Sequence, residues 1–319
     1  MKKPGSRHLV DPQLLGILEV FPESELNEQT LATARAMEFP FPTDPVASEA
    51  VSMVRRQVPG PDGAPPVELL VYTPKAASSA RPCIFHMHGG GYVAGTAASH
   101  EPLHRSLALA ADCVVASVEY RLAPETPFPG AIEDCYAALA FVFAEAAKLG
   151  IDPQCVGVMG ESAGGGLAAS LALLARDRGQ YPLAFQHLIY PMIDDRTCVL
   201  REPHPYAGEF IWTAQKNHFG WASLLGVPPG SPEVSPYAAA ARATDLGGLP
   251  PAYIASAALD LFIDDNLDYA RRLMRAGVPV ELHVYPGAFH AFDLFPDSEV
   301  ARTANRDSLA ALRRVLHPR

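Results

Sequence analysis

No stretch of this chain approaches the roughly 20 consecutive apolar residues needed to cross a bilayer, so a membrane span is not expected. Clusters of lysine and arginine are missing as well. In 319 residues, 25 basic side chains stand against 35 acidic ones, for a formal net charge of −10 at pH 7. Nucleic acid and anionic membrane surfaces select basic patches, so neither is an expected partner. Cysteines are few: Cys83, Cys113, Cys135, Cys155 and Cys198 are scattered, odd in number and without C-x-x-C spacing. That pattern argues against a zinc site and against a disulfide framework, and predicts reduced, mostly buried thiols in a cytoplasmic protein. No apolar segment follows Met1-Lys2-Lys3, because Asp11, Glu19, Glu23 and Glu25 interrupt each run, so export is not expected. Internal repeats and low-complexity segments are also absent.

What is present is an alternation of short apolar runs with helical patterns. Residues 12–36 read as two short amphipathic helices broken at Phe21-Pro22, followed by a proline-rich linker from Phe39 to Pro45. Ser52–Val58 and Val67–Tyr72 flank a turn-rich segment and read as a hairpin. Cys83–Met87, Val114–Glu119, Cys155–Met159, Phe185–Tyr190, Ala252–Ala257 and Val280–Tyr285 read as strands. Helical patterns lie between them over His100–Ala111, Ala131–Leu149 and Gly164–Arg178, and again over 265–276 with Asp264 as its cap. Such alternation predicts an α/β fold, with a mostly parallel central sheet covered by helices on both faces. Residues 193–247 are too long for a strand-to-helix loop and read as an insertion. The expected organisation is an N-terminal cap segment (1–45), a first core part (46–192), an inserted cap segment (193–247) and a second core part (248–319).

Two glycine-rich motifs carry the chemistry. Gly160-Glu161-Ser162-Ala163-Gly164 matches G-x-S-x-G, follows a strand and opens a helix. In that context the glycines permit a sharp turn that lifts the serine hydroxyl above the sheet. Alone the motif is weak, since a chain this long matches it by chance about one time in ten. His88-Gly89-Gly90-Gly91 is more specific, and it follows the strand that ends at Met87. Residues without side chains let backbone N–H groups approach a carbonyl oxygen and bind the charge that develops on it. A serine nucleophile requires a base, with an acid between the two in chain order. His290 lies in a loop after the last strand, whereas His187 and His283 fall within strands, His100 and His104 belong to a helix, and His317 is in the tail. Asp260 directly follows strand Ala252–Ala257, while Asp194 and Asp195 precede the insertion and Asp268 lies inside a helix. The order Ser162, Asp260, His290 is that of the α/β-hydrolase fold and differs from those of the chymotrypsin-like and subtilisin-like proteases.

Together with Glu119-Tyr120-Arg121-Leu122-Ala123-Pro124-Glu125, Pro127-Phe128-Pro129 and Glu133-Asp134, these motifs resemble the hormone-sensitive-lipase-like (family IV) bacterial carboxylesterases. The resemblance covers roughly residues 67 to 316. It implies an α/β-hydrolase fold with a helical cap, hydrolysis of short-chain acyl esters by Ser162, Asp260 and His290, and no cofactor or metal. It assigns the oxyanion hole to the N–H groups of Gly90, Gly91 and Ala163, gives His88 and Gly89 a supporting place, and implies that a homodimer is common. Where many relatives have Asp before the nucleophile, Pro after the acid and Gly after the base, this chain has Glu161, Leu261 and Ala291.

Tyr92, Glu161, Phe210 and Trp212 are the candidates for a substrate pocket, against the alternative that the aromatics form the cap's own small core. Three other functions share these motifs: an amide or carbamate hydrolase, a non-catalytic binding protein like the plant gibberellin receptors, and a lipase acting at a lipid interface. The complete triad argues against the second, and the charged residues of the insertion argue against the third.

Overall fold

The computed structural model describes residues 5–20, 24–37, 41–61, 63–78, 80–197, 199 and 202–318. The break at Phe21-Pro22, the linker residues Phe39 and Pro40, Cys198 and Arg201 lie outside them. Eight strands form one sheet: β1 (Val51–Val58), β2 (Val67–Pro74), β3 (Arg81–Met87), β4 (Val114–Glu119), β5 (Ile151–Glu161), β6 (Gln186–Ile189), β7 (Ala252–Ala257) and β8 (Val280–Tyr285). Their spatial order is β1-β2-β4-β3-β5-β6-β7-β8. β2 is antiparallel to β1 and β4, and every other pairing is parallel.

The helices are α1 (Ile17–Val20), α2 (Leu31–Ala36), α3 (Pro45–Ala50), α4 (Glu101–Ala111), α5 (Gly130–Ala144), α6 (Ala146–Leu149), α7 (Ala163–Arg178), α8 (Ala214–Leu225), α9 (Ile263–Arg275) and α10 (Glu299–Leu316). Alternation along the strands decides which helix covers which face. On β3, Cys83 and Phe85 point into a core shared with α5, α7 and α9, whereas Ile84 points into one shared with α4 and α10. β3 and β4 are fully or nearly fully buried, so the strands read as continuous apolar runs.

Two local expectations are corrected. The helical pattern 131–149 is two helices, meeting at Glu145. Asp264 does not cap α9; it lies exposed in the first turn, and the cap position is Phe262. The N-terminal helices are only four and six residues long. β4, β7 and β8 match the expected ranges, β1, β2 and β3 extend theirs slightly, β6 is shorter, and β5 is longer at both ends, its start carrying polar residues that an apolar-run reading omits.

The N-terminal segment is tied to the rest of the chain at several points. Arg35 donates from Nε to the Val93 carbonyl and forms a two-bond ion pair with Glu125. Leu26 and Gln215 of α8 exchange two hydrogen bonds, and Ser6 Oγ donates to Glu209 at 2.6 Å. Within the core, Arg121 clasps the fully buried Asp134 of α5 with Nε at 2.8 Å and Nη2 at 2.6 Å, and its backbone N–H adds a third bond. Removing the carboxylate takes three hydrogen bonds from Arg121; its guanidinium, 31% exposed, is left to water, and its backbone N–H loses its acceptor. Asp134→Ala is expected to lower unfolding stability by about 3 kcal/mol, read as a lower urea midpoint at unchanged slope. A loss below about 1 kcal/mol would contradict this reading of the clasp.

Candidate active site

The strand order reverses direction between β3 and β5: β4 lies to one side of β3, and the chain then crosses to the other side to form β5. Ligands of open α/β sheets sit beyond the carboxyl ends of the strands at such a switch point. Both glycine motifs emerge there, His88–Gly91 from β3 and Gly160–Gly164 from β5.

Ser162 sits between β5 and α7 with φ 55° and ψ −119°, a conformation that non-glycine residues rarely adopt. Its neighbours have to be glycines. A Cβ on Gly160 would meet Gly164 carbonyl atoms at 2.3 Å, and one on Gly164 would meet the Met87 carbonyl at 2.0 Å. The His88–Gly91 loop lies against this turn, since a Cβ on Gly89 would be 3.5 Å from that of Ser162. Gly90 and Gly91 both have positive φ, and the Trp212 indole rests on the place a Gly91 side chain would occupy. Ala163 is the first residue of α7, where backbone N–H groups have no intrahelical acceptor.

Asp260 lies just past the end of β7 and His290 past the end of β8. All three side chains are buried, yet Ser162 and His290 still face a cavity. His290 Nδ1 is 2.8 Å from Asp260 Oδ2, and His290 Nε2 is 2.9 Å from Ser162 Oγ. The carboxylate can only accept, which fixes the proton on Nδ1 and leaves Nε2 to accept from the serine hydroxyl. The Phe262 N–H donates to the other Asp260 oxygen at 3.2 Å. Tyr190, Phe262 and Trp212 rings surround the imidazole at 4.8, 5.4 and 6.1 Å between centroids. Ala291 takes φ 62°, a left-handed position that glycine occupies without steric penalty.

The proposed pocket residues divide. Glu161 and Trp212 line the cavity, whose volume is about 620 Å³. Tyr92 does not: it is buried, its hydroxyl donates to the Met192 carbonyl at 2.7 Å, and its ring packs on Trp221. Phe210 does not either, and packs against Phe289 instead. Tyr92 belongs to the core and Phe210 packs, partly buried, on its edge; in sequence, neither ring shows which way it points. The rejected acids Asp194 and Asp195 pair with Arg196 and Arg242. His88 is buried, stacked on Tyr120 at 4.3 Å, with its own carbonyl accepting from the Tyr120 hydroxyl.

One group of residues was not legible in the sequence. His86, His100 and His104 gather on the α4 side of the sheet, with His86 Nε2 2.9 Å from Glu161 and His104 Nε2 3.1 Å from His86 Nδ1. Burial pushes His104 well below the usual histidine range and His88 down to about 3. Burial alone would raise Glu161, but the adjoining His86 and its hydrogen bond outweigh it and hold the carboxyl below its ordinary value. Among the described residues, no group of three or more His, Cys, Asp or Glu side chains has the arrangement of a metal site, and no helix is long and apolar enough to cross a membrane.

Sheet order and the serine–histidine–aspartate geometry define the α/β-hydrolase class. A family model described as the alpha/beta hydrolase fold matches residues 84–294. The chain is 37% identical to carboxylesterase NlhH of Mycobacterium tuberculosis over 313 residues, 97% of each chain. It is 36% identical to esterase LipI of the same species over 97% of this chain and 96% of that one. Among solved structures it is similar to a bacterial heroin esterase, with TM-score 0.87, 38% identity, and 97% and 99% of the two chains covered. The chain belongs to the α/β-hydrolase-fold family, in its hormone-sensitive-lipase-like branch, and is a serine carboxylesterase.

Buried neutral histidines give the fold a pH dependence. His187, fully buried with its ring on Tyr253, is lowered to about 3 by burial, as His88 is. The unfolded chain binds these protons near pH 6.5 and the folded chain does not, so stability is complete above pH 6.5 and declines as the pH falls toward 3. At pH 5 each such site is expected to remove about 2 kcal/mol. His187→Gln should flatten the fall in urea midpoint between pH 7 and pH 5, and an unaltered slope would show that His187 is not part of it.

Proposed function

We propose that Ser162 is the nucleophile, His290 the general base and Asp260 the residue that orients the base, with the N–H groups of Gly90, Gly91 and Ala163 holding the oxyanion. The observation that carries this reading is the continuous chain of hydrogen bonds from Ser162 Oγ through His290 to Asp260, at 2.9 and 2.8 Å. His290 Nε2 takes the serine proton as Oγ attacks the ester carbonyl, and returns it to the departing alkoxide. Water, deprotonated by the same nitrogen, then cleaves the acyl-enzyme and releases the acid. Asp260 keeps the tautomer fixed and balances the imidazolium charge. The proximity of the glycine loop to the serine turn, where a Cβ on Gly89 would lie 3.5 Å from that of Ser162, supports this role.

The substrate in this reading is a small, water-soluble ester of short acyl chain. The described insertion carries Glu202, His204, Glu209 and Lys216, a composition unlike an interfacial lipase lid. The bonds between Leu26 and Gln215 and between Ser6 and Glu209 support a cap built from both segment 1–45 and insertion 193–247. Cys83, Cys113, Cys135 and Cys155 are free, in keeping with the proposed cytoplasmic location. A homodimer is part of the same reading, to be tested by sedimentation.

The test is hydrolysis of p-nitrophenyl esters from acetate to dodecanoate, each assayed below its solubility limit. Wild-type enzyme should act on the shorter esters and decline sharply toward dodecanoate. Ser162→Ala should lose five to six orders of magnitude in kcat, and Asp260→Asn about 10⁴-fold. Activity retained by a folded Ser162→Ala variant would overturn the assignment of the nucleophile. Activity that jumps only above the solubility limit would point to an interfacial enzyme.

A further inference from the structure

Of Ser162, Asp260 and His290, the histidine stands farthest from the strand before it, in the segment 286–298 that joins β8 to α10. Upstream of His290, backbone bonds hold this segment. The Ala288 carbonyl accepts from the Leu259 N–H at 2.9 Å, and the Gly287 carbonyl from the Asp11 N–H at 2.9 Å. Downstream come Ala291, at φ 62°, and a single 3-10 turn, Phe292–Leu294. Two side chains secure that turn. The Tyr190 hydroxyl donates to Asp293 Oδ1 at 2.8 Å, and Asn305 of α10 donates to the Asp293 carbonyl at 2.9 Å. Tyr190 follows β6 directly at φ 34°, a left-handed conformation that costs an aromatic residue energy, and its N–H donates to the Ala255 carbonyl of β7 at 2.6 Å. That backbone aims the ring edge-on at the His290 imidazole, with 62° between the planes, and carries the hydroxyl to the carboxylate three residues beyond. The residue before it, Ile189, accepts from the Ser162 N–H at 2.9 Å, so the end of β6 touches both the serine turn and the histidine segment.

We propose that Tyr190 and Asp293 are positioning residues for His290: their hydrogen bond fixes the segment that carries the base, and with it the distance from Nε2 to Ser162 Oγ. The proposal rests on the ester-hydrolase reading above and adds two residues to its machinery. Burial holds the Tyr190 phenol well above its ordinary range. Burial also raises Asp293 to about 6, against the pull of the Tyr190 hydrogen bond. At pH 8 the pair is therefore a phenol donating to a carboxylate, a charge-assisted bond. Acylation and deacylation both pass through His290 Nε2, so a displaced imidazole slows the two steps alike and leaves KM unchanged. Tyr190 and Asp293 also line the cavity. A role in holding substrate would raise KM instead, which makes the two roles separable.

The test is steady-state hydrolysis of p-nitrophenyl acetate at pH 8 by four variants. Tyr190→Phe keeps the ring on the imidazole and removes only the hydroxyl, while Asp293→Ala removes the acceptor. A misplacement of 1 Å can cost on the order of 10²-fold, and the loss of one tie among several should cost less, so each variant is expected to lose about tenfold in kcat with KM within about twofold of wild type. Asp293→Asn retains an oxygen that can accept from the hydroxyl and should keep kcat within about threefold of wild type. The double variant Tyr190→Phe/Asp293→Ala should lose no more than the larger single loss, because both changes break one bond. Should Asp293→Ala fail to fold, Tyr190→Phe and Asp293→Asn carry the test. An unchanged kcat in folded Tyr190→Phe would overturn the proposal, as would a raised KM at unchanged kcat or losses that multiply in the double variant. Equal damage from Asn and Ala at position 293 would overturn it too, by showing that the charge matters rather than the tie. No hydrolysis by the wild type would instead overturn the ester reading beneath it.

Discussion

The conformation of Ser162 is the constraint on which the rest of this structure depends. A serine at φ 55° is strained by roughly 1–3 kcal/mol and persists only where its surroundings over-determine it. Here they do. The Ser162 N–H donates to the Ile189 carbonyl of β6, and the Ser162 carbonyl accepts from both Gly166 and Met192. Gly160 and Gly164 supply the space, because side chains at either would collide with backbone that cannot move. The strain is therefore held by the core of the sheet, and the hydroxyl emerges where no regular strand or helix would place it.

From that turn the remaining geometry follows by topology. Parallel strands end at the same edge of a sheet, so the loops after β3, β5, β7 and β8 gather at one edge although they are far apart in sequence. Ser162 and His290 are 128 positions apart and still meet at 2.9 Å. Two helices on one face anchor this edge: α7 holds the serine turn from behind, and α9 begins just after Asp260, whose carboxylate accepts from the Phe262 N–H. Ser162 and Asp260 are thus carried at the buried ends of β5 and β7, while His290 comes from the loop past β8 and is held between them by its two hydrogen bonds.

Sequence reveals what local chemistry dictates and hides what packing decides. The strands were legible because doubly covered parallel strands are continuous apolar runs, and the two glycine motifs because their backbone geometry tolerates no other residue. Ser162, Asp260 and His290 each follow a strand in an order that one fold uses, and the structure brings the three side chains together. Tyr92 and Phe210 could not be oriented, since nothing in their spacing says whether a ring faces a cavity or a core. The histidine group was hidden for a related reason. His86, His100 and His104 are brought together by α4 packing over β3, a contact that no local periodicity records. The cavity wall that α4 and α10 share comes from two helices almost 200 residues apart, and it has no local signature at all.

Glu161 shows how one of these hidden contacts bears on the visible motifs. In register, His86 of β3 pairs with Met159 of β5, so Glu161, two residues further on, points to the same face as His86. The carboxylate reaches the imidazole at 2.9 Å across the strand pair. Such charge-assisted bonds are short and roughly twice as strong as neutral ones, and more so where water is scarce. His86 lies two residues before the glycine loop, and Glu161 lies one residue before the serine. The bond therefore joins, by side chains, the two strands that carry the two motifs, at the level where both leave the sheet. What reads in the sequence as a departure from the aspartate common in the family is, in the fold, a longer side chain spanning from the serine turn to the strand that feeds the glycine loop.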